Sequence, residues 1–248
     1  MTIKPQTNGS AINQQLIELA GRATLIKRDS AEYVALHDQI KQLQSADKDD
    51  ALSLEAVLIH FTGDFDGSIK VLEQCKHKNP WNELAIYTNM FRCREGQVVY
   101  KRLFSPSSGL FSQGAPAGWT MGAYRQVAAF AREAKRMNLS NLDSLPMEKI
   151  MEIDRLFEEF DISDETTADL LTIAGEAMRN HGVMHLGDKP EVDVFDYPGE
   201  LRAVHVKYRL PLTAEEAVEV YLDFLDGVCL AEKSIPNGLN ISFEGVHA

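Results

Sequence analysis

Asp64 and Asp66 stand two positions apart in the segment Gly63-Asp64-Phe65-Asp66-Gly67-Ser68, just after the apolar run Ala56-Val57-Leu58-Ile59. Carboxylates so placed are candidates for nucleophilic or acid–base work. A second acidic pair, Asp188 and Asp193, follows far downstream. His181 and His185 have the i, i+4 spacing of a metal pair, but that spacing joins two imidazoles only on continuous helix, and Gly182 interrupts it. His205, Lys207 and Arg209 alternate along one segment. Such a stripe suits an anion or an acidic partner, and it is equally the ordinary solvent face of an edge strand. The chain has no P-loop, dinucleotide glycine fingerprint, metalloprotease histidine motif or nucleophile elbow. A triad of Ser or Cys with His is assembled in space, so its absence cannot be read from linear order.

The central element that would position Asp64 and Asp66 is Ala51 to Pro80, which reads as two short helices joined by a tight turn. Leu52, Ala56, Ile59 and His60 recur at three- and four-residue steps on a first helix. Gly63-Asp64 breaks it, Ser68, Leu72 and Cys75 mark one face of a second, and Pro80 ends that one. The small Ala56, the Gly-Asp-Phe turn, the small Ser68 and Cys75 and the closing proline resemble one tetratricopeptide repeat, over about 30 of the 248 residues. That resemblance implies antiparallel helix pairs and a scaffold for partner binding.

The same stretch, AVLIHFTGDFDGS, also resembles the first motif of haloacid-dehalogenase-like phosphatases, and VMHLGDKPEVD resembles their metal-binding motif. This second resemblance implies Asp64 as nucleophile and Asp66 as general acid/base. It further implies a magnesium ion whose carboxylate ligands include Asp188 and Asp193. Against it, about sixty residues of helical pattern precede the motif, and no β–α–β series follows it. The reading carried forward is the helical hairpin, with Asp64 to Asp66 capping its second helix and Phe65 stapled beneath.

Composition narrows the class. Apolar residues make up 44% of the chain, enough for a proper core. No apolar run approaches the roughly 18 residues of a membrane span. The N-terminus MTIKPQTNGS lacks the apolar stretch of a signal peptide, and residues 1–10 are expected to be disordered. Cys75, Cys93 and Cys229 are odd in number and far apart, which points to reduced thiols in a cytoplasm. The net charge of −12 is unevenly spread. Residues 1–145 hold 17 Lys and Arg against 15 Asp and Glu, while residues 146–248 hold 8 against 22. The C-terminal part repels nucleic acid and anionic membrane and favours a basic partner.

In chain order, Ala11 to Lys27 is amphipathic, with Ile12, Leu16 and Leu19 on one face. Ser30 caps a second helix with Val34, Ile40 and Leu43 inward, and a solvated link SADKDD follows. Helical pattern resumes over Leu84 to Phe91 and is interrupted at Glu95-Gly96. Ser105 to Thr120 reads as a loop whose Leu110, Phe111 and Trp119 either tuck into the core or meet a partner. Thr120 then caps a helix with Val127, Phe130, Ala131, Ala134 and Met137 inward and Arg125, Arg132, Lys135 and Arg136 outward. Pro146 and Ser163 open two more helices. From Val192 the period changes to two, giving a hairpin about Tyr197-Pro198-Gly199-Glu200. Thr213 and Glu216 form a capping box for a last helix, and Leu239 to Phe243 a last strand.

The sequence therefore predicts an α+β protein. Tetratricopeptide-like antiparallel helical pairs over residues 11–160 precede a small antiparallel sheet with two helices over 161–248. The expected function is non-catalytic: a cytoplasmic protein-binding or regulatory protein with no cofactor and no membrane or nucleic-acid partner. Its acidic part would neutralise a basic protein, as an immunity protein or antitoxin does. Glu215 and Glu219, exposed on the last helix, and Leu110, Phe111 and Trp119 are the candidate contact residues.

Overall fold

The structure, a computed structural model, describes residues 8–22, 24–77, 80–139, 142, 145–183, 190–196 and 202–246. The fold is α+β: among the described residues, eleven α-helices and one three-stranded mixed sheet. The chain forms two compact units, Met1–Met90 with Gly182–Gly187, and Phe91–His181 with Asp188–Ala248. Residues 1–7 and the expected turn at Tyr197 to Glu200 lie outside the described residues.

The first unit contains α1 (Asn8–Ala20), α2 (Ala31–Leu43), α3 (Lys48–His60), α4 (Phe65–Leu72) and α5 (Pro80–Asn89). Ser30 caps α2, its side chain accepting from the Tyr33 N–H at 3.2 Å. Tyr33 and Leu36 join Ile40 and Leu43 inside, and Val34, expected inward, is exposed. The SADKDD segment is part of the scaffold: Asp47 caps α3, and Asp49 accepts from the Lys76 and His77 N–H groups. Helix α3 is apolar nearly all round and so lies between two cores. Ala51, Leu54 and Leu58 meet α1 and α2, while Leu52 and Ala56 meet Leu72, Cys75, Ile86 and Met90. Ser68 is fully buried and donates its hydroxyl to the Ala56 carbonyl at 2.7 Å, so small residues do bring α3 and α4 together. Pro80 starts α5; with no N–H to lose, it suits a first helical position better than the end of α4.

The second unit holds α6 (Cys93–Leu103), α7 (Phe111–Thr120), α8 (Tyr124–Arg136), α9 (Met147–Glu159), α10 (Asp164–Asn180), β1 (Glu191–Asp196), β2 (Arg202–Leu210), α11 (Ala214–Leu230) and β3 (Leu239–Gly245). The division does not fall near Asp161, because α9 packs on β1 and β2 and α10 packs on α6 and α11. Two expected breaks are helical. Gly96 is buried within α6, and most of the Ser105–Thr120 segment forms α7 after one 3₁₀ turn. Helix α7 carries Gly114 and Gly118 where a Cβ would come within 3 Å of the Phe104 and Tyr100 rings. Glycine there permits close packing, and its poor helix propensity is outweighed.

The sheet order is β1-β2-β3. Strands β1 and β2 are antiparallel, with Val192 opposite Val206 and Val194 opposite Val204. Strand β3 pairs with β2 in parallel, which corrects the expected all-antiparallel sheet. The intervening α11 supplies the long crossover that parallel strands need. Strand β2 is thus central rather than an edge. Val204, Val206 and Tyr208 face the core, and His205, Lys207 and Arg209 lie on the opposite, open face.

Candidate functional site

Asp64 serves the hairpin. It is the N-cap of α4, accepting from the Gly67 N–H at 2.9 Å, and it pairs with Arg28. The Gly67 hydrogen bond, then Arg28, holds its carboxyl below the ordinary value. The apolar run before it belongs to α3, so Asp64 does not sit at the end of a strand as the phosphatase motif requires. Asp66 is exposed in the first turn of α4. Asp193 pairs with Lys149, and Asp188 and His185 lie outside the described residues. His181 contacts Asp223 at 3.0 Å.

The Leu110, Phe111 and Trp119 group is largely internal. Phe111 is 2% exposed and meets Phe130 edge-on, and Leu110 is half-buried. Trp119 meets Tyr124 edge-on and lines a narrow apolar slot of about 160 Å³ with Pro116, Ile150 and Pro190. Leu145 and Pro146 join this slot to a broader trough of about 870 Å³ bearing Lys135, Glu148, Glu152 and the Lys149–Asp193 pair.

Several carboxylates of the acidic region are matched where they stand. Asp154 is held by Arg125 and Arg132, and Asp169 by Arg94 and Lys233. On the open face of the sheet, Glu191 and Glu244 both contact Lys207 and Arg209. Lys207 and Arg209 of the stripe are therefore neutralised by their own neighbours, as suits an ordinary solvent face. Those pairs hold Glu191 below its ordinary value, Lys207 first, and raise Lys207, Glu191 first. Asp164 accepts from the Arg125 and Gln126 N–H groups, both at 2.9 Å, capping α8 from another helix in place of Thr120. Its burial raises its pKa despite those bonds. Arginines of α8 and of the N-terminal end of α6 are likewise paired: Arg92 with Glu95, Arg94 with Asp169, Arg125 and Arg132 with Asp154.

Helix α11 is uniformly acidic. It carries Glu215, Glu216, Glu219, Asp223 and Asp226, and no Lys or Arg. Glu216 closes the capping box with Thr213, and Asp223 meets His181. Among the described residues, Glu215, Glu219 and Asp226 form no ion pair, and both glutamates are exposed. Beside these carboxylates lies an apolar stripe that the sequence reading passed over. Val218, Tyr221 and Leu222 are exposed, and so is Cys229. The inward face is Ala217, Val220, Phe224 and Val228, so Tyr221, expected inward, stands at the surface. The signal was available: Val218, Leu222, Leu225 and Cys229 are spaced four, three and four residues apart.

No helix among the described residues is long and apolar enough to cross a membrane. No family model, curated protein or solved structure matches the chain.

Proposed function

We propose that the protein is a non-catalytic, cytoplasmic binding or regulatory protein whose acidic C-terminal region takes a basic partner protein, as an immunity protein or antitoxin would. The helical pairs of the first unit, with their tetratricopeptide-like hairpin, serve in this reading as a second scaffold for protein contact. The observation that carries the proposal is the one-sided charge of α11. The helix holds five carboxylates and no Lys or Arg, and it keeps Glu215, Glu219 and Asp226 unmatched beside exposed apolar residues. A concentrated field of one sign steers a partner of the other sign and speeds association.

The test is the association rate with the basic protein recovered from the native host, followed across a salt series. Association should be fast at low salt and slow steeply as salt rises, because exposed charges are screened within about 8–10 Å near physiological ionic strength. Glu215→Lys with Glu219→Lys should slow it and leave the circular dichroism spectrum unchanged. Salt-independent rates, or equal rates for the two proteins, would sink the proposal. So would robust magnesium-dependent hydrolysis of a generic phosphate ester that Asp64→Asn removes.

A further inference from the structure

The outer side of α11 is laid out as half of a two-helix seam. We infer that it seats one amphipathic helix with basic flanks, contributed by a partner protein, along Val218, Leu222, Leu225 and Cys229. This rests on the reading that the acidic region docks a basic protein, and it specifies the shape of what docks.

A helix on a protein surface needs one apolar stripe, and α11 already has one. Ala217, Val220, Phe224 and Val228 are buried against the rest of the unit. The second stripe is left largely open: Leu225 is half-buried, and its other members are exposed. Val218 is 58% exposed, Leu222 55% and Leu230, at the helix end, 86%. Exposed apolar residues scattered singly need no explanation, but these follow a rule. Steps of four, three and four residues keep Val218, Leu222, Leu225 and Cys229 along one side of the helix. That is the spacing by which a helix meets another helix, knob into hole. An extended strand or an irregular loop would have no use for it. The line covers about three turns, roughly 17 Å at 1.5 Å per residue, enough for a short helix to lie along.

The flanks choose among occupants. Glu219 and Asp226 border the line in positions where helix pairs exchange charges, and Glu215 stands at its start. A second copy of the chain would bring the same five carboxylates against these, with no cation on either helix to offset them. An anionic membrane surface is disfavoured on the same ground. A helix with Lys or Arg beside its apolar line matches both features at once.

Cys229 supplies a local reporter, because it is exposed while Cys75 and Cys93 are buried. The probe is a three-heptad synthetic peptide with Leu at the a and d positions and Lys at e and g. The control has the same composition with its leucines scattered. Measurements on the full chain are peptide affinity by titration calorimetry and the rate of Cys229 alkylation with and without peptide. The patterned peptide should bind, slow alkylation of Cys229, and outcompete the control. Leu222→Asp should weaken its binding about tenfold or more, with Val218→Asp as an independent second variant. Both positions are exposed, and an unchanged melting temperature checks that the fold is kept. Equal binding of the two peptides, unaffected by Leu222→Asp yet weakened by Glu215→Lys with Glu219→Lys, would overturn the helix seat and leave the electrostatic docking reading standing. Binding of neither peptide, with no effect of charge reversal on the native partner, would remove both. Sedimentation as a dimer that Leu222→Asp dissolves would show a second copy in the seat and overturn the assigned occupant.

Discussion

Gly175 shows how single atoms hold the second unit together. It lies inside α10, where alanine would ordinarily be preferred by about 1 kcal/mol. A Cβ at this position would come 2.1 Å from the Cβ of Phe91. Phe91 is held at φ 52° and is 1% exposed, and a contact to a Cβ cannot be relieved by turning a side chain. Overpacking costs about 1–3 kcal/mol, so Gly175→Ala should lower the melting temperature despite the better helix former. An unchanged or raised melting temperature would count against the close approach. Ser68→Leu should act alike in the first unit, overpacking α3 on α4 and removing the hydroxyl bond to Ala56, at a cost of about 1–3 kcal/mol or more. His205 sets a pH dependence. Its ring meets Phe195 and lies 2.6 Å from Ser242 Oγ, and burial, then Lys207, lowers its pKa below 6.5. The unfolded chain therefore takes up the proton first. Stability should fall as pH drops below about 6.5 and level off once the folded value is passed. His205→Gln should flatten the denaturant-unfolding free energy between about pH 7.5 and 5, and an identical slope would remove this histidine from the account.

At the scale of elements, helix ends are fastened by carboxylates from elsewhere. Asp164 covers the first N–H groups of α8, and Asp49 holds the chain that follows α4. Asp164→Ala should leave two N–H groups of α8 without their acceptor and cost about 1–2 kcal/mol. Asp164→Asn keeps one carbonyl oxygen and should cost less. Equal loss for the two variants in thermal unfolding would mean that the carboxyl acts through charge alone. Helix α11 is fastened locally instead, by the reciprocal bonds of Thr213 and Glu216. Its cap is independent of its outer face. Glu215 lies in the first turn, where a carboxylate favours the helix dipole, so Glu215→Lys should cost about 0.3–1 kcal/mol there, and a melting curve taken beside the association rate keeps the double substitution a fair test of docking.

For the whole molecule, the net charge of −12 and an isoelectric point near 5.0 set the working range. Self-repulsion is offset in part within the second unit by the pairing of Glu191, Glu244, Asp154 and Asp169, while α11 carries five carboxylates and no Lys or Arg. As pH falls toward 5.0 the overall field fades. Association with a basic partner should slow over that approach, in parallel with the loss caused by salt. A rate that holds constant down to that pH would show that net charge does not steer the encounter.

The sequence by itself determined what is local. The caps at Ser30, Asp64, Ser163 and Thr213, the α3–α4 turn, the period-two hairpin and the exposure of Glu215 and Glu219 all follow from side chains acting within a few residues. The charge split was equally legible, since it is a count. Tertiary structure decided the rest, because the competing terms act between residues distant in the chain. Helix α7 has weak propensity, with two glycines and Pro116, yet it forms because Phe104 and Tyr100 close on the glycines. Asp64 could have been nucleophile or cap, and the helical state of α3 places it as a cap. The direction of β3 depended on which strand it met after α11, and no local pattern encodes that. Helix α11 presents two apolar stripes of comparable strength. Only packing selects Ala217, Val220, Phe224 and Val228 for the inside and leaves Val218, Leu222 and Cys229 at the surface.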